Sequence, residues 1–207
     1  IERETVRMAE VARGTVLAGI SCFMTRSHHG DSIMKKEDQV DDMQRDITIY
    51  ASKLFQRGLT EDVSLRLPVL LHTINDIERV SDHAVNMVEA SERISGNIEN
   101  TQGVLPEAAR EAAAIIENMT IAIERSLASH DREASQKVLV LEEKLNRLDE
   151  RVKDYYSESL SKFGVADLTG LAILDFINYC ERIGDHLTNV AQSLLGGGFW
   201  HGTDDNI

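Results

Sequence analysis

The stretch Ile74-Asn75-Asp76-Ile77-Glu78-Arg79-Val80-Ser81-Asp82-His83 returns 103 positions later as Ile177-Asn178-Tyr179-Cys180-Glu181-Arg182-Ile183-Gly184-Asp185-His186. In each copy Asn, Glu, Asp and a further Asn (Asn86 and Asn189) stand at i, i+3, i+7 and i+11, so on a helix they line one face. A second acid pair precedes each ladder. Glu37-Asp38-Gln39-Val40-Asp41 aligns with Glu142-Glu143-Lys144-Leu145-Asn146 at an offset of 105. If the two helices of each half are neighbours, these pairs face one another, and carboxylates gathered so closely need a counter-charge. Arg79 and Arg182 are candidates for it; so is a bound cation.

All-oxygen coordination suits hard or borderline ions such as Mg²⁺, Mn²⁺ and iron. His83 and His186 directly follow the ladder aspartates. Adjacent helical residues point about 100° apart, so one member of each Asp-His pair faces elsewhere. Direct ligation by these histidines stands beside a supporting or surface role. For the ladders themselves, the alternative to a metal site is an Arg–carboxylate network tying helices together. His28-His29 reads as an exposed turn and His72 as a histidine at the core edge. Neither copy has the Glu-x-x-His of a di-iron bundle, and Gly-rich phosphate loops, nucleophile elbows and Ser/Cys–His–Asp sets are absent. The sequence predicts no enzyme.

The ladders need buried helices to hold them. Val69, Leu70, Ile74, Ile77, Val85 and Val88, and in the second copy Leu171, Leu174, Ile177, Val190 and Leu194, supply the apolar pattern. Two prolines, 5% aromatics and no alternating β-branched runs make the chain all-α. A duplication of this length gives each copy its own small bundle.

A first helix is predicted from Glu2 to about Arg26, broken by Ser27-His28-His29-Gly30, with Met8, Val11, Ala12, Thr15, Val16, Gly19, Ile20 and Phe23 on one face. A second, capped at Asp31 or Ser32, runs to Gln56 on a stripe of Ile33, Val40, Met43, Ile47, Tyr50, Ala51 and Leu54, with Gly58 beyond its end. Thr60 caps a third, which Pro68 should kink or divide and which fades near Ser95. Pro106 opens a fourth helix to about Leu127. Asp131 caps a fifth, ending at Phe163 before Gly164, with Val138, Leu141, Leu145, Leu148, Val152 and Tyr155 as its stripe. A sixth spans about Asp167 to Leu195. The expected organisation is two tandem three-helix bundles: 1–98, a linker 99–106, 107–195, and a flexible tail 196–207.

A net charge of −13 and a pI near 4.9 argue against a nucleic-acid partner and favour cations, or simply a solvated surface. Cys22 and Cys180 are isolated, which supports neither a zinc knuckle nor a disulfide framework and suggests a reducing compartment. No segment approaches the roughly 20 apolar residues of a membrane span, and no signal peptide is visible. The start at Ile1, almost directly in a helix, is that expected of a piece of a longer protein.

The duplicated Glu-Arg-x-x-Asp-His ladder, each copy preceded by a Glu-x-x-hydrophobic-Asp/Asn helix, resembles the PhoU family of phosphate-uptake regulators over the chain up to Leu195. The resemblance implies multinuclear metal clusters, commonly iron or zinc, with Mg or Mn as further candidates. It nominates Glu37, Asp41, Glu78 and Asp82 in the first half, and Glu142, Glu181 and Asp185 in the second, where Asn146 replaces the expected aspartate. The stretch Leu59 to His72 lacks the Gln-Pro-x-Ala-x-Asp-Leu-Arg signature of the free-standing regulators. It looks more like the cytoplasmic C-terminal domain of a Na⁺/phosphate cotransporter. The implied role is thus a non-enzymatic regulatory domain of phosphate transport. It would be cytoplasmic and membrane-associated, with a transporter domain in cis or in trans as partner and a homodimer as one possible assembly. The alternatives are a stand-alone PhoU-type regulator of a phosphate ABC transporter and its two-component signalling, or a helical docking module without metal.

Overall fold

The computed structural model describes residues 1–27, 30–56, 60–94, 96–100, 103–163 and 168–196. Among them it contains six helices, α1 (Glu2–Thr25), α2 (Gly30–Gln56), α3 (Glu61–Ser91), α4 (Val104–Ser129), α5 (Arg132–Phe163) and α6 (Leu168–Leu195), and no strand. A short 3₁₀ turn, Ile98–Asn100, joins the halves. The expected all-α fold of two three-helix units is what forms. Helices α1, α3, α4 and α6 make the centre, with α3 on α6 and α1 on α4. Among the described residues helix α2 packs mainly on α1 and α3, and α5 mainly on α4 and α6, so both are outer helices.

That placement explains the narrow buried stripe of α2, which is Ile33, Val40, Ile47 and Ala51. Tyr50 and Tyr155, expected on their stripes, are exposed, while Ala51 and Val152 are buried. The central helices are buried more broadly. Phe23 of α1 stacks on Phe176 of α6 with ring centroids 4.1 Å apart, joining the two halves through aromatic contact. Arg13 of α1 pairs with Glu124 of α4 at 2.9 Å.

The duplication extends to the helix ends. Arg26 and His130 close α1 and α4 in the left-handed conformation, at φ 56° and 57°. One turn before each, Cys22 Sγ donates to Ser27 O, and Ser126 Oγ to Asp131 O, both at 3.1 Å. Thr60 caps α3 as expected, accepting from the Val63 amide, and Asp131 accepts from the Ala134 amide to start α5.

Helix α3 runs unbroken through Pro68, so of the expected kink or division the division does not occur. Pro68 and Ser64 are both exposed, so the carbonyl that loses its donor can face water. The same helix ends at Ser91 rather than near Ser95. Its last amides, Glu92, Arg93 and Ile94, bond three residues back, which tightens the turn and brings Ile94 into the core. Helix α4 begins at Val104, inside the expected linker, and Ile98 and Pro106 are buried. The expectations for His28-His29, Gly58, Gly164 and the tail beyond Gly196 lie outside the described residues.

Candidate metal centre

Val40 is buried on the inward stripe of α2. Glu37, three residues before it, and Asp41, directly after it, stand at the edge of that stripe, and Asp82 reaches them from α3, which packs on α2. One oxygen from each of Glu37, Asp41 and Asp82 lies within 4.8 Å of the others. Glu78 stands beside them.

The crowding shows in the titration of the group. Glu37 is pushed up from 4.5 to about 7, by burial first and then by Asp41, Asp82, Asp38 and Glu78. Burial also raises Asp41, followed by Asp82, Asp38 and Asp42, with Arg45 opposing. Glu78 is raised by burial and then Asp82, while Arg79 pulls it down. Asp41 Oδ1 and Glu78 Oε2 are sealed from solvent without a hydrogen-bond donor. Such orphaned carboxylate oxygens cost free energy unless something positive meets them.

Arg79 supplies part of that charge from within α3. Its Nη1 is 2.8 Å from Asp82 Oδ2, and its Nε is 3.4 Å from Glu78 Oε2, close enough for attraction but without hydrogen-bond geometry. Among the described residues no ion pair joins α2 to α3. The Arg–carboxylate alternative is therefore local to one helix and leaves the α2 acids without a partner across the seam. A cation with metal–oxygen distances of about 2.1 Å would set opposite oxygens about 4.2 Å apart, which the 4.8 Å cluster accommodates.

The second half differs. Asn146 donates its amide to Glu142 on its own helix. Glu181 is raised by burial, then by Asp185 and Asp149, and lowered by Arg182 and Lys153. The residues expected to gather were Glu142, Glu181 and Asp185. Of these, Glu181 and Asp185 lie one turn apart on α6, and the α5 acid whose charge acts on Glu181 is Asp149. Sequence reasoning missed Asp149, although it lies seven residues after Glu142 and hence on the same face. Among the described residues, only the first half brings three metal-ligating groups within 4.8 Å.

His83 and His186 meet each other between α3 and α6, with stacked rings 5.7 Å apart. His83 also stacks on Tyr179 and accepts from Asn86, and burial, then His186, Arg182 and Arg79, pushes it down to about 4. His186 Nδ1 is 2.9 Å from Asp76 Oδ1. Of the two faces open to an Asp-His pair, the aspartates take the outer one and the histidines the seam between bundles. His72 is exposed rather than at the core edge. Cys22 and Cys180 are free and buried, and burial raises the Cys180 thiol. No helix of the described residues is long and apolar enough to cross a membrane.

Comparison with known proteins agrees with this architecture. Two curated relatives carry the name phosphate-specific transport system accessory protein PhoU homolog. That from Xylella fastidiosa is 27% identical over 203 residues, covering 93% of this chain and 80% of the relative. That from Clostridium acetobutylicum is 25% identical over 202 residues, covering 94% and 89%. The crystal structure of PhoU from Pseudomonas aeruginosa matches with a TM-score of 0.83 at 17% identity, covering 93% of this chain and 92% of that one. PhoU from Streptococcus pneumoniae matches with a TM-score of 0.71, also at 17% identity, covering 94% and 91%. At that identity the structural matches establish the fold. The PhoU domain itself matches twice, over residues 5–91 and again over 109–194, and with both halves so matched the chain belongs to the PhoU domain family.

Proposed function

We propose that this protein is a non-enzymatic accessory regulator of inorganic phosphate transport that binds a multivalent cation through Glu37, Asp41 and Asp82, with Glu78 alongside. The observation that carries the cation is the set of three carboxylate oxygens within 4.8 Å, drawn from two helices, beside a buried Asp41 oxygen that has no donor. Oxygen donors of this kind suit iron, Mn²⁺ or Mg²⁺, and zinc also accepts carboxylates. The ion would neutralise the seam and pin α2 to α3.

The regulatory role rests on the accessory-protein relatives, aligned over most of their length. They favour the free-standing regulator over the Na⁺/phosphate cotransporter domain that the stretch Leu59 to His72 suggested. The corresponding partner is a phosphate transport system, met in trans at the cytoplasmic face of the membrane. The experiment pairs elemental analysis of the purified protein with radiolabelled phosphate uptake in cells lacking the gene, complemented by the parent or by Glu78→Gln/Asp82→Asn. The expected result is at least one metal per chain in the parent, loss of metal in the variant, and misregulated uptake with the variant. Metal-free parent protein would remove the cation. Uptake indifferent to deletion of the gene would remove the regulatory role.

A further inference from the structure

The outer helix of each half carries one turn of polar residues after its acid pair, and here the halves have diverged. At the offset of 105, Asp41 corresponds to Asn146, Gln44 to Asp149 and Thr48 to Lys153. The first seam thus has an aspartate followed by neutral residues, and the second an amide followed by an acid and a lysine. Asn146 turns its amide on Glu142, which takes one lone pair of that carboxylate away from the seam. Asp149 is only 8% exposed, and Lys153 Nζ lies 2.6 Å from its Oδ2. Helix α5 packs along α6, the helix that carries Glu181 and Asp185. A buried carboxylate with an ammonium in contact already has the counter-charge that Asp41 lacks.

We propose that Lys153 is the resident cation of the second acidic cluster, standing where the first cluster takes a metal ion, so that the two homologous halves share one metal site between them. Lys153 and Asn146 are then the residues that decide which half binds metal. The inference rests on the cation reading of the first half. A multivalent ion entering the second half must displace the ammonium from Asp149, and it meets Asn146 where the first half offers Asp41. In the first half, Gln44 and Thr48 put no charge in its way.

The test uses Mn²⁺ as probe, with free ion counted by electron paramagnetic resonance and folding checked by circular dichroism. The parent is expected to bind one equivalent, lost in Glu78→Gln/Asp82→Asn and kept in Glu181→Gln/Asp185→Asn. Asn146→Asp/Lys153→Gln is expected to bind a second equivalent, which Glu181→Gln/Asp185→Asn removes again. Lys153→Gln alone should melt below the parent, because Asp149 loses its partner, and Mn²⁺ should restore its Tm only while Glu181 and Asp185 are intact. Two equivalents in the parent, one of them lost with Glu181→Gln/Asp185→Asn, would overturn the inference and leave the first-half cation standing. A single equivalent in Asn146→Asp/Lys153→Gln would also overturn it. No binding to any of these proteins would remove the cation reading, and this inference with it.

Discussion

Glu37→Gln should stabilise the metal-free protein, by an amount that grows with pH. Glu37 titrates near 7 instead of 4.5 because burial, and then Asp41, Asp82, Asp38 and Glu78, oppose its charge. Below about pH 4.5 the carboxyl is protonated in folded and unfolded chains alike, so it exerts no penalty. Through the window from 4.5 to 7 the folded state holds more protons than the unfolded one, and stability falls as pH rises. Above 7 the penalty is complete. The shift corresponds to about 3 kcal/mol at full strength, from 1.36 kcal/mol per unit. Solvent screening of a half-buried carboxylate brings this to about 1–2 kcal/mol. In a chain of this size that is about 3–6 °C in Tm. Calorimetry with EDTA should therefore find the variant several degrees above the parent at pH 8 and level with it near pH 4.5. With saturating Mn²⁺ at pH 8 the order should invert, since the variant forfeits a ligand. A Tm difference in EDTA that is the same at both pH values would refute the account of Glu37 as a charge held against burial and its neighbours.

Arg79→Gln should tighten Mn²⁺ binding by roughly 3–10-fold in isothermal titration, because it frees Asp82 Oδ2 and removes a positive charge from the approach; weaker binding would mean that Arg79 positions the acids. Gly19→Ala places a methyl 2.9 Å from Ala84 O and 3.2 Å from Ala84 Cα. Both are backbone atoms that cannot swing aside, so α1 and α3 must separate, at a cost of about 1–3 kcal/mol in urea denaturation despite alanine's better helix propensity. Asp131→Ala removes the acceptor of the Ala134 amide and the partner of Arg125 Nε at 2.6 Å. A loss of about 1–2 kcal/mol, by the same assay, is expected for that cap.

Helical periodicity was enough to give the six helices and their pairing into two units, and it was clearest where a helix has three neighbours, as α1, α3, α4 and α6 do. It was less informative on α2 and α5. An outer helix buries so narrow a strip that Tyr50 and Ala51 compete for it, and adjacency in sequence does not say which faces in. Pro68 misled for a related reason: its effect depends on whether the deprived carbonyl meets water, which is a property of packing. The first-half acids were legible because all four lie on facing stripes in register. In the second half the eye followed the repeat to Glu142 and Asn146. The carboxylate that faces Glu181 is Asp149, which has no acidic counterpart in the first half and is visible only through the helical period itself.

The same divergence runs along the seam between the bundles. At the offset of 103, Asp76 corresponds to Tyr179, so one histidine of the central pair is hydrogen-bonded to a carboxylate and the other is packed against a phenol ring. Further out, Arg93 and Asp175 form an ion pair at 2.7 Å across α3 and α6, whereas their counterparts, Gly196 and His72, line an open groove with Asp76 and Asn189. The backbone has kept its two-fold repeat down to the bonds that close α1 and α4, while the polar groups have not. Caps and apolar stripes are needed by each half in order to fold, and so neither copy can lose them. A counter-charge can come from an arginine, as Arg79 supplies to Asp82, or from a lysine, as Lys153 supplies to Asp149, and the two halves differ in which they use.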